Sequence, residues 1–328
     1  MVRNPFRINS RSGYGSSYLF LTVAFAVFFA TVFSSIAQSN WRDDIGTFRV
    51  GILAGNDSAG AIRRAELFRE AMNTHLDVPV ELIPFGDLST LIQAQVSGRV
   101  EYAIHSALSF TVASASCECL VPLAVPTFSG GAKGTHAVIF ALSDGPRTLS
   151  DLENQTIGIL VKEDFVTGTF AEIELKQSGF DLRTAGVAVL KLNSDGDALE
   201  ALQKGTVKAV LDWSTLSGDA GQGFSHGLFA RIMASEAAPD VGTLRLIWQS
   251  DMLPNGPHAV RRNLASEAKK KVQDFLLSLE TKNPAAYDVF NPRLGGGFLP
   301  VQLSEYKAVR DLLSDLQEDQ QTEVLNPQ

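Results

Sequence analysis

Hydrophobic and polar positions alternate along the chain in two rhythms, one of period two and one near 3.6. Residues 47–53 read as a buried strand running into the polar turn Ala54-Gly55-Asn56-Asp57-Ser58. Ala61, Ala65, Phe68 and Met72 then follow helical spacing, and residues 79–85 form the next strand. Gly86-Asp87 opens a helix through Leu88, Leu91, Ile92 and Val96, and residues 102–104 make a short strand ending at His105-Ser106. A helix over about 107–116 follows. Residues 120–128 are apolar and extended, with Pro122 and Pro126 marking an edge or irregular strand. After the glycine-rich turn at Ser129-Gly130-Gly131, residues 135–142 read as a buried strand and 148–152 as a short helix.

The second half repeats the alternation. Ile157-Gly158-Ile159-Leu160-Val161 is a strand, followed by a tight loop; Val166, Phe170 and Ile173 then recur at i, i+4 and i+7, with Ser178-Gly179 as the stop. Residues 187–192 form a strand, Ser194 caps a helix through Ala198, Leu199 and Leu202, and residues 208–213 form a strand ending at Asp212-Trp213. A Gly, Ser and Ala-rich stretch over 214–243 reads as loop with short helical pieces, 244–250 returns as a strand, and Pro254-Asn255-Gly256-Pro257 turns the chain. Ala268, Val272, Phe275, Leu276 and Leu279 mark one face of a helix from Ser266, and residues 306–316 suit a last helix before a polar tail.

This alternation predicts an α/β protein of two lobes, each a mostly parallel sheet flanked by helices, joined by a two-strand hinge. The expected organisation is a leader over 1–37, a lead-in over 38–46, the first part of lobe I over 47–143 and lobe II over 144–244. The return to lobe I with its C-terminal helices spans 245–315, and a polar tail 316–328. Crossings near 143 and 245 form the hinge. Ligand sites of such sheets lie at the carboxyl ends of strands, so a cleft between the lobes is the expected site.

The amino terminus changes the compartment. Arg3, Arg7 and Arg11 precede an apolar run over 19–33, and Ser35-Ile36-Ala37 has the small-x-small pattern of a signal-peptidase site. An export signal cut before Gln38 is one reading and a retained membrane anchor the other. The formal charge of −8 becomes −11 once the three leader arginines are removed, which argues against nucleic acid as a partner. Cys117 and Cys119 can close a very small disulfide ring in an oxidising compartment, with buried free thiols as the alternative.

The candidate chemistry is binding rather than catalysis. The turn at Thr167-Gly168-Thr169 offers helix amides and two hydroxyls to an anion, although Asp164 or Thr167 can equally serve as a simple helix cap. His105, Ser106 and His136 can donate to an oxyanion, each with a structural role as the alternative, and Asp87 suits a helix cap. There is no His-Glu-x-x-His, Gly-x-Ser-x-Gly or Gly-x-x-x-x-Gly-Lys-Ser/Thr motif. The five histidines lack paired spacing, so neither an enzyme, a metal nor a cofactor is expected.

Between about Phe48 and Leu313 the chain resembles the phosphate/phosphite/phosphonate-binding family of periplasmic solute-binding proteins that serve ABC importers. The likeness is clearest at 100–109, 135–142, 207–212 and 247–257. It implies a periplasmic, monomeric protein that closes on a small oxyanion and presents it to an inner-membrane ABC permease. It also places Val166-Thr167-Gly168-Thr169 where relatives carry a Ser/Thr-rich phosphoryl grip, and Asp212 at a position that accepts hydrogen bonds from a ligand's ammonium or protonated oxygen. Two other readings of the same cleft are a sensing partner of a membrane receptor and an enzyme retaining the binding fold.

Overall fold

The computed structural model describes residues 40–160, 165–235 and 244–325. The leader over 1–37 and the loop residues Val161, Lys162, Glu163 and Asp164 lie outside the described residues.

Lobe I opens with β1 (Phe48–Leu53), α1 (Ser58–Leu76), β2 (Val80–Phe85), α2 (Leu88–Val96), β3 (Tyr102–Ile104), α3 (Ala107–Cys117) and β4 (Leu120–Phe128). The chain then enters lobe II with β5 (Gly134–Leu142), β6 (Thr156–Leu160), α4 (Ala171–Gln177), β7 (Ala188–Leu192), α5 (Asp195–Gln203), β8 (Ala209–Ser214), α6 (Leu228–Met233), β9 (Leu244–Gln249) and β10 (Leu253–Pro254). It returns through β11 (His258–Arg261), α7 (Ser266–Lys282), α8 (Pro284–Asp288), β12 (Gly295–Pro300) and α9 (Lys307–Leu325).

The first sheet has the order β12-β4-β11-β3-β1-β2; the second runs β10-β5-β8-β6-β7, with β9 also paired to β5. Each sheet is parallel where strand and helix alternate, at β2-β1-β3 and at β7-β6-β8. The expectation of parallel pairing holds for those halves. The remaining pairs are antiparallel.

The pairing moves both expected crossings. β5 was expected to complete lobe I, but it pairs with β8, β9 and β10, and so belongs to lobe II together with residues 244–254. The chain therefore crosses at Ser129–Lys133 and at Asn255–Pro257, rather than near 143 and 245. A continuous apolar run such as 135–142 suits a buried strand of either sheet, and only pairing distinguishes them. The two crossings are tied together. Asn255 N–H donates to Lys133 O (2.8 Å), Asn255 Nδ2 donates to Pro126 O (2.9 Å), and Tyr306 OH donates to Asn255 O (2.9 Å).

Two further elements differ from the sequence reading. β12 was not anticipated, since Gly295-Gly296-Gly297 hides a strand that pairs with β4. The last helix runs to Leu325, beyond the expected end at residue 316, and it is shared between lobes. Val309 packs with the lobe I cluster around Phe110 and Tyr306, whereas Leu312 packs with the lobe II cluster around Phe170 and Ile139. Gln177 Nε2 on α4 donates to Asp315 Oδ2 (2.6 Å), so α9 forms a third link beside the two crossings.

The cores follow from the periodicities. Ala61, Ala65, Phe68 and Met72 of α1 and Ala268, Val272, Phe275, Leu276 and Leu279 of α7 are all buried, as their i, i+3, i+4 spacing requires. Phe68 stands edge-on to both Phe275 and Phe290, joining the two helices over the sheet.

Gly256 is the tightest point of the second crossing: a Cβ there would lie 1.8 Å from the backbone oxygen of His105. Because backbone cannot rotate away as a side chain would, Gly256→Ala should destabilise the protein by about 2 kcal/mol or more, read as a lower urea midpoint at unchanged slope.

Candidate ligand site

In both sheets the carboxyl ends of the parallel strands lie on the edge from which the crossings leave. In lobe I, β4 is antiparallel to β11 and β11 to β3, so Phe128 at the end of β4 shares an edge with Leu53, Phe85 and Ile104. In lobe II, His136 near the start of β5 pairs with Ser214 at the end of β8, on the edge that also carries the end of β6. The two carboxyl edges thus flank the hinge, where ligand sites of such sheets form.

The lobe I edge carries three helix starts. Asp57 accepts from Gly60 N–H (2.8 Å) and pairs with Arg64 at 3.2 Å; that amide, with Arg64 beside it, holds the carboxyl below its usual range. Asp87 accepts from Thr90 N–H (2.8 Å), making it the cap expected of it. Ser106 and Ser109 form a reciprocal capping box at the start of α3: Ser106 Oγ accepts from Ser109 N–H (3.1 Å) and Ser109 Oγ from Ser106 N–H (2.9 Å). Ser106 is exposed at this edge. Two of the three starts therefore present a carboxylate instead of open amides.

His105 does not reach the edge. It is 4% exposed, with Nε2 donating to Gln95 Oε1 (2.6 Å) and Nδ1 facing Ser109 Oγ at 3.3 Å. Gln95 Nε2 in turn donates to Ala259 O (2.9 Å), and Tyr102 OH shares a short hydrogen bond with His258 Nδ1. This buried polar chain joins α2, β3 and β11, so the expectation that His105 donates to a ligand is corrected to a structural role. The sequence could not separate these cases, because a strand-end histidine can turn either way. Burial pushes His105 down to about 4 and His258 to about 3.

On the lobe II edge the sequence Val166–Phe170 forms a wide turn in which Phe170 N–H bonds Phe165 O (3.1 Å), and the regular helix begins only at Ala171. Gly168 breaks the helical path at φ −98°, ψ −115°, and among the described residues a Cβ there would meet nothing within 4 Å. Thr167 is buried and Thr169 exposed, which places one hydroxyl beneath the turn and one on it. Asp212 is buried at 4% exposure, and its Oδ2 accepts from Leu228 N–H (2.6 Å), capping α6. His136 is half-buried and its Nδ1–H donates to Ser250 O (2.9 Å). Thr167, Gly168, Thr169, Asp212 and His136 thus share the lobe II edge, with Ser106 on the lobe I edge.

Sequence reasoning missed an aromatic group at the first crossing. The Phe128 ring lies 5.9 Å from Trp213 and 5.1 Å from His226, and Ser129 Oγ lies 3.2 Å from His226 Nε2. Apolar side chains also stand exposed, Leu53 at the end of β1 at 55% and Phe165 at the wide turn at 37%. The only hint in the sequence was Trp213 directly after Asp212. Cys117 and Cys119 are joined in a disulfide, with Cα atoms 5.0 Å apart, at the far end of α3.

The family of periplasmic substrate-binding proteins of phosphonate ABC transporters matches residues 50–306. This chain belongs to that family. As a periplasmic substrate-binding protein of an ABC transporter, this phosphonate-family protein has a small-molecule ligand and a membrane permease as its kind of partner.

Among solved structures, the phosphonate-family protein is similar to a binding protein component of an ABC phosphonate transporter from Pseudomonas aeruginosa. Identity is 18%, covering 83% of this chain and 86% of that one, with a TM-score of 0.44. It is similar to a Prochlorococcus marinus protein solved with methylphosphonate at 14% identity, 83% and 98% coverage and a TM-score of 0.46. It is also similar to the periplasmic aliphatic sulphonate binding protein of Escherichia coli at 15% identity, 86% and 94% coverage and a TM-score of 0.40.

The buried histidines set a pH dependence. Their native pKa values lie below the ordinary 6.5, so as pH falls through that value the unfolded chain takes up protons that the native protein does not. Stability should be complete above about pH 7 and fall by roughly 2 kcal/mol per histidine between pH 7 and pH 5. Urea midpoints across that range should shift by about half as much in His105→Gln. A flat profile would contradict the neutral buried pair.

Proposed function

We propose that this protein captures a small oxyanion between its lobes and delivers it to an inner-membrane ABC permease, with an organic phosphonate as the favoured ligand and phosphite or phosphate as smaller alternatives. The observation that carries the reading is the turn at Thr167-Gly168-Thr169. It stands at the carboxyl edge of β6, has nothing among the described residues within 4 Å of where a Cβ of Gly168 would lie, and falls within the family match. The hydroxyls and open backbone of such a turn suit a phosphoryl group, which is held by several short hydrogen bonds rather than by one counterion.

The apolar and aromatic groups around the edges, Leu53, Phe165, Phe128 and Trp213, favour a ligand with an organic substituent. Asp57 and Asp87 on the opposite edge make lobe I the side for that substituent and lobe II the side for the oxyanion. His136 and Ser106 are secondary donors in this arrangement, and Asp212 supports the turn's neighbourhood by holding α6. The reading also includes export to the periplasm through a cleaved leader over 1–37 and action as a monomer. Hinge closure around the ligand presents a new surface to the permease, and no bond is made or broken.

A thermal-shift series against phosphonates, phosphite, phosphate, sulfonates and amino acids tests the ligand class. The best ligand at about 100 times its Kd should add about 2.7 kcal/mol of stability. Thr167→Val combined with Thr169→Val should lower that ligand's affinity at least tenfold while the protein still unfolds cooperatively. Unaltered binding in the double variant would remove the turn from the site.

A further inference from the structure

Lobe I has a cavity between the far end of its sheet and the segment that leads into α9. α3 runs back across the lobe from Ser106 to Cys117, β4 begins at Leu120, and β11 ends at Arg261, so Ser114, Leu120 and Arg262 gather at the far end of the sheet. There they line a cavity of about 360 Å³ together with Leu303, Tyr306 and Arg310. That volume falls within the range of about 300–1,000 Å³ usual for small-molecule sites.

Three of its polar groups stand without a partner among the described residues, two of them exposed arginines. Neither the Arg262 nor the Arg310 guanidinium has a hydrogen-bond or ion-pair partner among the described residues, and Ser114 Oγ is buried with none. Glu118 also lines the cavity but pairs with neither arginine, leaving an excess of positive charge. The remaining wall is apolar: Leu120 is 2% exposed, and Tyr306 commits its hydroxyl to Asn255 O (2.9 Å), so it offers ring surface rather than a donor. The backbone of this wall is fixed, since Arg262 N–H donates to Cys119 O (2.6 Å) beside the Cys117–Cys119 disulfide.

We propose that this cavity is a second ligand site, separate from the interlobe cleft, that binds a small organic oxyanion. Arg262 and Arg310 grip the anion, Ser114 donates to it, and Leu120, Leu303 and Tyr306 cover its apolar body. Guanidinium groups match phosphate and carboxylate oxygens in forked geometry, and two of them around one cavity with a free hydroxyl bind such an anion better than either alone.

The test is an amide-resolved NMR titration of the protein with phenyl phosphate, which reports the two sites separately whatever the cleft binds. Amides of Ser114, Glu118 and Arg262 should shift in a saturable way, and Arg262→Gln with Arg310→Gln should weaken that binding at least tenfold per arginine with the thermal midpoint unchanged. Ser114→Ala, which removes only a hydroxyl, should weaken it severalfold and serves if the arginine variant loses its fold. Inorganic phosphate should need at least tenfold higher concentration for the same shifts. Shifts confined to the Thr167 turn, or shifts at Ser114 that survive both sets of changes, would overturn the site. Equal affinity for inorganic phosphate would overturn the ligand class.

Discussion

Asn255 joins what the rest of the molecule has to keep in register. Its backbone N–H holds the outgoing crossing at Lys133, its side chain holds β4 at Pro126, and its carbonyl receives Tyr306 OH from the turn that leads into α9. Three strands of connection between the lobes therefore meet at one residue. Each of these bonds is worth on the order of 1 kcal/mol, but losing one inside a crowded crossing leaves its partner unsatisfied, which costs more than the bond contributes. Lys133 adds a further tie, with Nζ donating to Pro300 O (2.7 Å) and Glu305 Oε2 (2.9 Å). Any closing motion has to pivot about this cluster and carry α9 with it, since Val309 and Leu312 of that helix belong to the cores of different lobes.

Because both crossings leave from carboxyl edges, those edges are brought to the hinge together with the helix starts they carry. The edges are not equivalent. Lobe I has two aspartate caps that already accept amides of their own helices, so it presents negative charge and little open donor capacity. Lobe II presents a turn of two threonines around a kinked glycine, with Asp212 directed inward to Leu228 N–H. The two edges thus differ in charge and in how much of their backbone is already capped.

The interior of lobe I is organised by polar groups as much as by apolar ones. Gln95, His105, Ser109, Tyr102 and His258 form hydrogen bonds among α2, β3, α3 and β11, surrounded by Phe68 and Phe298. A fully buried histidine is tolerated only in its neutral form, which is why both rings are pushed toward low pKa values. The histidine with the most suggestive position in the sequence thus serves the core that holds the edge in place.

Much of this was legible in the residues. The periods of the apolar positions gave α1 and α7 their buried faces, and Ser194 and Asp87 marked helix starts at the right places. Such features depend on neighbours within a turn or two of chain, so local chemistry decides them. The α/β class and the two-lobed division follow from the order of these local elements, and the family resemblance rests on the residue runs at 100–109, 135–142, 207–212 and 247–257. What only the tertiary structure decided involves partners far apart in the chain: β5 in lobe II rather than lobe I, β12 behind its three glycines, α9 shared by two cores, and His105 turned inward to Gln95. An apolar strand carries no mark of which sheet it will join, and a histidine none of which way it will face, because both depend on what the distant chain brings alongside.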